Sequence, residues 1–170
     1  MNAVPGTVVF SHGRESGPWG AKISAMADVV RSMGMAVESV DYRGIDDPGQ
    51  RVVRLLAAAG TLAGPLVLVG SSMGGHVSAA AAERLGPRGL FLLAPAFYMP
   101  GFEAHTPNAV SCPAVIVHGW RDDVVPVEHS LRWAREHAAA LHILDSGHRL
   151  EDQVDLIGVL LKAFLSRILL

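Results

Sequence analysis

A serine lies between two glycines at the end of an apolar run near the middle of the chain. Leu66–Val69 leads into Gly70–Gly74, and the pattern G-x-S-x-G places Ser72 at its centre. A serine on a tight turn between a strand and a helix needs these glycines, because side chains there would strike the neighbouring strand or helix. The turn exposes the hydroxyl at the head of a helix, whose dipole favours developing negative charge. The spacing predicts a nucleophile at Ser72 and not at the adjacent Ser71.

A glycine-rich turn of a nucleotide-binding fold is the alternative interpretation of this segment. A phosphate-binding loop needs lysine and then serine or threonine after its last glycine, whereas His76 and Val77 follow Gly75. The dinucleotide fingerprint requires glycine where Ser72 stands. The residues therefore favour a nucleophilic serine.

A nucleophilic serine needs a base and a group that orients the base. The segment His118–Pro126 follows a later apolar run and contains Asp122 and Asp123, while Asp145–His148 follows the next run and ends in His148. Serine, acid and then histidine is the order expected in a fold of alternating strands and helices. From residue types alone, Asp122 and Asp123 both stay open as the acid.

The elements that must position these residues alternate between short apolar strands and longer helical patterns. The predicted strands are Thr7–Phe10, Ala36–Asp41, Leu66–Gly70, Gly89–Leu93, Ala114–His118 and Leu141–Leu144. The predicted helices are Lys22–Ser32, Pro48–Ala59, an alanine-rich helix that includes Val77–Ala82, Val127–Ala138 and a C-terminal helix from Val154 that docks on the sheet. This alternation predicts a parallel sheet with right-handed crossovers. Ligands bind at the carboxyl ends of such strands, so chemistry is expected just after each strand.

The composition predicts one globular domain spanning residues 1–170. Of 170 residues, 50% are hydrophobic and 18% charged, and 14 basic side chains face 16 acidic ones, so nucleic-acid binding is not expected. Residues 1–6 lack the basic region of a signal peptide, and residues 156–170 are too short to span a membrane. A cytoplasmic location is the resulting expectation. The single Cys112 excludes an internal disulfide.

Taken together, these motifs resemble those of small α/β hydrolases of the lidless esterase or thioesterase kind. The similarity covers nearly the whole chain: F-S-H-G after the first strand, D-Y-R-G after the second, G-S-S-M-G after the third, H-G-W-R-D-D-V-V-P after the fifth and S-G-H after the sixth. The resemblance implies a three-layer α/β/α fold of about six parallel strands in the order 2-1-3-4-5-6. It also implies that the first two strands of the full family sheet are missing and that a lid is minimal or absent.

The resemblance also implies a role for each candidate site residue. Ser72 would be the nucleophile, His148 the general base, and Asp122, by its register four residues after the histidine of H-G, the acid that orients the base. The backbone N–H groups of Met73 and Arg14 would form the oxyanion hole.

Other residues that could take part in chemistry have structural alternatives. His12 and His118 precede glycines, which favours a hydrogen-bonding role over proton transfer. No histidine or carboxylate spacing suits a metal, and no cofactor is expected. Four aromatic residues on loops or strand ends are candidates for substrate binding, with core packing as an equal alternative: Trp120, Phe97, Tyr98 and Trp19.

The sequence therefore predicts a serine hydrolase that cleaves small carboxylic esters or thioesters through an acyl-enzyme on Ser72. The expected partner is a small-molecule acyl substrate, with no nucleic acid and no membrane, and a homodimer is left open. An amidase or peptidase with the same three residues is the alternative within enzymes. A non-catalytic binding protein on a hydrolase fold is the alternative outside them.

Overall fold

Six strands and five α-helices form the part of the chain that the computed structural model describes, residues 6–108 and 110–169. The strands are β1 (Thr7–Ser11), β2 (Ala36–Val40), β3 (Leu66–Ser71), β4 (Gly89–Leu93), β5 (Ala114–Gly119) and β6 (Ala140–Leu144). The helices are α1 (Ala21–Ser32), α2 (Pro48–Ala59), α3 (Met73–Leu85), α4 (Val127–His137) and α5 (Val154–Leu169). Every predicted strand and helix is present. The signal-peptide prediction falls mainly on residues 1–5, outside the described residues.

The strands form one parallel sheet in the order β2-β1-β3-β4-β5-β6, which confirms the predicted topology. Strand β3 pairs with β1 on one side and β4 on the other. The chain reverses direction in the sheet order at this position, and in open parallel sheets such a switch point creates a crevice at the carboxyl ends of the strands. The turn after β3 therefore lies where a ligand can reach it.

Both faces of the sheet are covered, which explains why the central strands are continuous apolar runs. In β1, Val8 and Phe10 pack into the layer that contains α1 and α5, while Val9 packs into the layer that contains α2, α3 and α4. Alternate residues of the other central strands divide in the same way. The core therefore lies in two layers, and the loops at the carboxyl edge are left to carry the site.

The C-terminal helix α5 docks on the sheet as predicted. Its side chains Ile157, Leu161, Phe164 and Leu165 are buried in the same layer as α1. Among the described residues, no helix has the length and apolar character needed to cross a membrane.

Candidate active site

Ser72 occupies a strained turn between β3 and α3. Its backbone has φ 55° and ψ −118°, a conformation that residues with a Cβ rarely adopt. Two main-chain hydrogen bonds hold the turn. The N–H of Ser72 donates to Leu93 O at 2.9 Å, and the N–H of Ala96 donates to Ser72 O at 3.0 Å. Strain of this kind persists where the surroundings enforce it, and it is concentrated at functional sites.

The two glycines of the motif are required by close backbone contacts around this turn. A Cβ at Gly70 would overlap the carbonyl oxygen of Gly74, and a Cβ at Gly74 would overlap the carbonyl oxygen of Ser11 on β1. The first contact allows the chain to reverse tightly, and the second allows α3 to approach the sheet. The G-x-S-x-G spacing thus has the steric origin expected from the sequence.

The structure brings Ser72, His148 and Asp122 into one hydrogen-bonded chain. His148 Nδ1 lies 2.7 Å from Asp122 Oδ2, and His148 Nε2 lies 3.1 Å from Ser72 Oγ. An ionised carboxylate only accepts hydrogen bonds, so Nδ1 carries the proton and Nε2 is left to accept from the serine hydroxyl. This tautomer is the one a general base needs to take the serine proton.

The carboxylate of Asp122 is surrounded by hydrogen-bond donors. The N–H groups of Val124 and Val125 donate to Oδ1 at 2.9 and 2.8 Å, while His148 Nδ1 and His118 Nε2 face Oδ2 at 2.7 and 3.0 Å. Burial alone would raise the pKa of Asp122, but the hydrogen bonds from the two histidines and the two N–H groups outweigh burial and hold the pKa well below its usual range. Asp122 is therefore ionised at neutral pH.

His118 contacts the same carboxylate oxygen of Asp122 as His148 does. Its Nε2 faces Asp122 Oδ2 and, at 2.9 Å, the carbonyl oxygen of Val125, so this nitrogen carries a proton. Its Nδ1 lies 2.7 Å from the hydroxyl of Ser130, which is buried on α4. The hydrogen-bonding role expected for His118 is confirmed. The contribution of Ser130 could not be predicted, because a serine in a helical pattern gives no sign of what it faces.

Main-chain hydrogen bonds join the loop that carries the acid to the loop that carries the histidine. The N–H of Trp120 donates to Leu144 O, and the N–H of Arg121 donates to Ser146 O, both at 2.9 Å. A Cβ at Gly119 would overlap Ser146 O, so the two loops can approach this closely only with glycine there. The spacing between acid and base is therefore set by backbone contacts.

Lys22 forms a hydrogen bond with the main chain of the loop that carries His148. The ammonium Nζ donates to Arg149 O, one residue after His148, at 2.8 Å. Burial lowers the pKa of Lys22 to about 8, although nearby Glu151 opposes the shift. Sequence reasoning missed this contact, because it joins the first turn of α1 to a loop 127 residues later.

The two predicted oxyanion donors lie on segments that flank Ser72. Met73 is the first residue of α3, and N–H groups in the first turn of a helix have no acceptor within the helix. Arg14 follows Gly13, where a Cβ would lie 3.5 Å from Ser72 Cβ. The Arg14 side chain is exposed, and its Nε lies 3.6 Å from Asp46 Oδ1. The oxyanion roles of both N–H groups stay predictions.

The four aromatic candidates for substrate binding lie in different environments. Phe97 has no exposed surface and stacks on Trp133 at 4.8 Å between ring centroids, which places it in the core and not on a pocket wall. Tyr98 donates its hydroxyl to Glu136 Oε2 at 2.7 Å and is thereby held against α4. Trp120 and Trp19 are 60% and 47% exposed. Substrate contact by Tyr98, Trp120 and Trp19 stays a prediction.

Within the described residues, no group of three His, Cys, Asp or Glu side chains is arranged to hold a metal ion.

Replacing Asp122 by asparagine should destabilise the fold in a pH-dependent way. A carboxylate whose pKa is lower in the folded chain stabilises the fold above its unfolded pKa of about 3.9, and this stabilisation is lost as the pH falls. Asp122→Asn should lower the free energy of unfolding at pH 7 by roughly 1–3 kcal/mol, because it places an amide N–H₂ against groups that donate. Urea titrations at pH 7 and pH 3.5 measure this.

The difference between the wild type and Asp122→Asn should begin to narrow at pH 3.5, because the unfolded chain takes up a proton at Asp122 there while the folded chain keeps this carboxylate ionised. Asp123→Asn is the matched control, since Asp123 is exposed, and it should change the free energy of unfolding by less than about 0.5 kcal/mol. A difference that widens on acidification would contradict the role assigned to these hydrogen bonds.

The sheet order, the strained serine turn and the placement of acid and histidine after β5 and β6 together define an α/β hydrolase fold. Within this class, the chain belongs to the family described as Uncharacterised protein family (UPF0227), whose model matches residues 7–107. A search of curated proteins gives no match.

Solved structures support the same class. A Xanthomonas campestris protein of the α/β hydrolase superfamily is 32% identical to this chain, with a TM-score of 0.88 over 95% of this chain and 98% of that one. Est1E from Butyrivibrio proteoclasticus is 18% identical, with a TM-score of 0.86 over 98% and 89%. A second Xanthomonas campestris protein, an α/β serine hydrolase without a lid, is 21% identical, with a TM-score of 0.73 over 97% and 83%. The last two likenesses concern the fold alone.

Proposed function

We propose that this chain is a serine hydrolase that cleaves small carboxylic esters or thioesters through an acyl-enzyme on Ser72. The observation that carries the proposal is the chain of hydrogen bonds from Asp122 through His148 to Ser72, at 2.7 and 3.1 Å. The class of the 32% identical Xanthomonas campestris structure, the α/β hydrolase superfamily, agrees with it.

The reaction steps follow from the protons that each group can donate or accept. Ser72 Oγ attacks the acyl carbon while its proton moves to His148 Nε2, and Asp122 stabilises the imidazolium that forms. The tetrahedral oxyanion would accept hydrogen bonds from the N–H groups of Met73 and Arg14. Collapse breaks the bond to the alcohol or thiol, which leaves with the proton from His148.

Water completes the cycle by the same route. It gives a proton to His148 Nε2 as its oxygen attacks the acyl carbon on Ser72, and a second oxyanion forms. Collapse of this intermediate releases the carboxylic acid and returns the proton to Ser72 Oγ. The mechanism requires no group beyond those of the chain and water.

Matched panels of p-nitrophenyl esters, acyl thioesters and p-nitroanilides test the proposal, with Ser72→Ala as the blank for each. We expect hydrolysis of the esters or thioesters that the blank lacks. Preferential cleavage of the anilides would indicate an amidase or peptidase. No hydrolysis in any panel would indicate a binding protein and would contradict the proposal.

The site should prefer short acyl groups. The connection between β4 and β5 could hold a lid, but among its described residues Glu103–His105 is the only helical turn. Four prolines spaced along the connection oppose a long helix: Pro95, Pro100, Pro107 and Pro113. Each methylene that cannot be buried forgoes about 0.8 kcal/mol, or about three- to fourfold in kcat/KM.

We therefore expect acetyl to hexanoyl p-nitrophenyl esters to be cleaved well and palmitoyl esters poorly, without activation at a lipid interface. Initial rates across the acyl series, measured below and above the micelle concentration, check this. A rate that climbs steadily from four to sixteen carbons would show that the connection forms an extended acyl channel.

A further inference from the structure

Arg51 is a buried cation whose hydrogen bonds to described residues all go to main-chain carbonyls. It lies on α2, is 1% exposed, and packs its guanidinium 5.2 Å from the centre of the Tyr42 ring. Burial lowers the pKa of the Arg51 guanidinium. A buried charge without a hydrogen-bonded carboxylate is costly.

The carbonyls that Arg51 binds include two consecutive ones in the loop after β1. Nη1 donates to His12 O at 3.1 Å and to Gly13 O at 3.3 Å, while Nε donates to Ile45 O at 2.6 Å and anchors the guanidinium at its other end. The guanidinium therefore binds the main chain of one short loop, although His12 and Gly13 precede Arg51 by 39 and 38 residues in the sequence.

His12 makes a second hydrogen bond to the same Gly13 carbonyl. Its Nε2 accepts the N–H of Tyr42 at 2.9 Å, which leaves the proton on Nδ1, and Nδ1 donates to Gly13 O at 2.7 Å. Two donors thus hold one carbonyl oxygen, and the orientation of the peptide between Gly13 and Arg14 is fixed.

A trans peptide is planar, and its N–H points opposite to its C=O. With Gly13 O held by Arg51 and His12, the N–H of Arg14 must point away from the buried guanidinium. This peptide begins at Gly13, which lies against Ser72. A cationic donor on the carbonyl also polarises the peptide and strengthens the hydrogen bond that its N–H can donate.

We infer that Arg51 is a positioning residue that orients the Gly13–Arg14 peptide so that the Arg14 N–H serves the oxyanion. The inference rests on the proposed serine hydrolase function. It predicts that Arg51 acts on the transition state and leaves ester binding in the ground state nearly unchanged.

The test compares Arg51→Met and Arg51→Lys with Arg54→Met, a matched change at an exposed arginine one turn along α2. Arg51→Met should lower kcat for p-nitrophenyl butyrate by roughly 10- to 100-fold, less than the loss of a whole oxyanion donor, with KM within about threefold. Arg51→Lys, which keeps a cationic donor, should recover part of kcat. Arg54→Met should match the wild type.

A butylboronic acid probe separates positioning from a general loss of structure. It forms a tetrahedral adduct on the serine with an oxygen in the oxyanion hole, so its inhibition constant should rise by about the factor by which kcat falls. A merely structural role would reduce the folded fraction, seen by circular dichroism, and leave KM, the inhibition constant and kcat per folded molecule unchanged.

If Arg51→Met does not fold, Arg51→Gln, which lacks the cation, carries the same comparison. A folded Arg51→Met or Arg51→Gln with wild-type kcat and wild-type boronate affinity would overturn the inference while leaving the proposed function intact. The proposed function itself fails only if the wild type shows no hydrolysis that depends on Ser72.

Discussion

Ser72→Ala should lower kcat for p-nitrophenyl butyrate by at least about 10⁴-fold, because nothing else in the site can form the acyl-enzyme. The hydroxyl of Ser72 is the one that lies 3.1 Å from His148 Nε2. Steady-state rates of the purified variant, with circular dichroism to check folding, measure the loss.

Ser71→Ala is the matched control, since it removes a hydroxyl from the adjacent residue. Ser71 is the last residue of β3, and its main chain pairs with Leu93. Its side chain is not at the apex of the turn, so the variant should keep kcat within about threefold of the wild type. Equal losses in Ser71→Ala and Ser72→Ala would show that the serine turn is misassigned.

Asp122→Asn should lower kcat/KM by about 10⁴-fold, the loss typical of a triad acid changed to its amide. The N–H groups of Val124 and Val125 would hold the amide oxygen, which turns the amide N–H₂ toward His148. His148 must then accept at Nδ1 and carry its proton on Nε2, and this tautomer cannot take the proton of Ser72.

Asp123→Asn tests the neighbouring carboxylate under the same conditions. Asp123 is exposed, whereas the Asp122 side chain is buried between two histidines, so Asp123→Asn should stay within about threefold of the wild type. Steady-state kinetics of the wild type and both variants at one pH make the comparison. A larger loss in Asp123→Asn than in Asp122→Asn would overturn the assignment of the acid.

Much of the fold could be predicted because buried parallel strands leave a plain signal. The apolar runs of β1, β3 and β4 stand between glycines, prolines and helical patterns, and they end within one residue of the predicted limits. The glycines of the serine turn could also be predicted, because steric contact with the neighbouring backbone excludes any other residue there. The strand order came from the family resemblance, because alternation alone allows several parallel arrangements.

The site was predictable only where chemistry limits the residue type. The proposed chemistry requires a serine, a carboxylate and a histidine at these three positions. The contacts that hold these residues are made by residue types that serve many other purposes in proteins. In the sequence, Arg51 is indistinguishable from any other polar residue of an amphipathic helix, and Lys22 from any other surface lysine. The hydrogen bonds of both side chains described above are to main-chain carbonyls, which carry no signature in the sequence.

Phe97 is a case in which the residue type suggested a site role but the structure places the side chain in the core. An aromatic residue in a proline-rich connection could line a pocket or fill the core with equal ease. The choice depends on whether α4 presents a partner, and Trp133 does so by stacking on the Phe97 ring.

Covalent labelling with a fluorophosphonate tests the central claim most directly. The reagent reacts with an activated serine, and intact-mass measurement counts the adducts on each chain. Fragmentation of the tryptic peptide of residues 55–84 distinguishes Ser71 from Ser72. We expect one adduct per chain, on Ser72, with parallel loss of ester hydrolysis and no labelling of Ser72→Ala. An unlabelled wild-type chain, or an adduct on any other residue, would contradict the central claim.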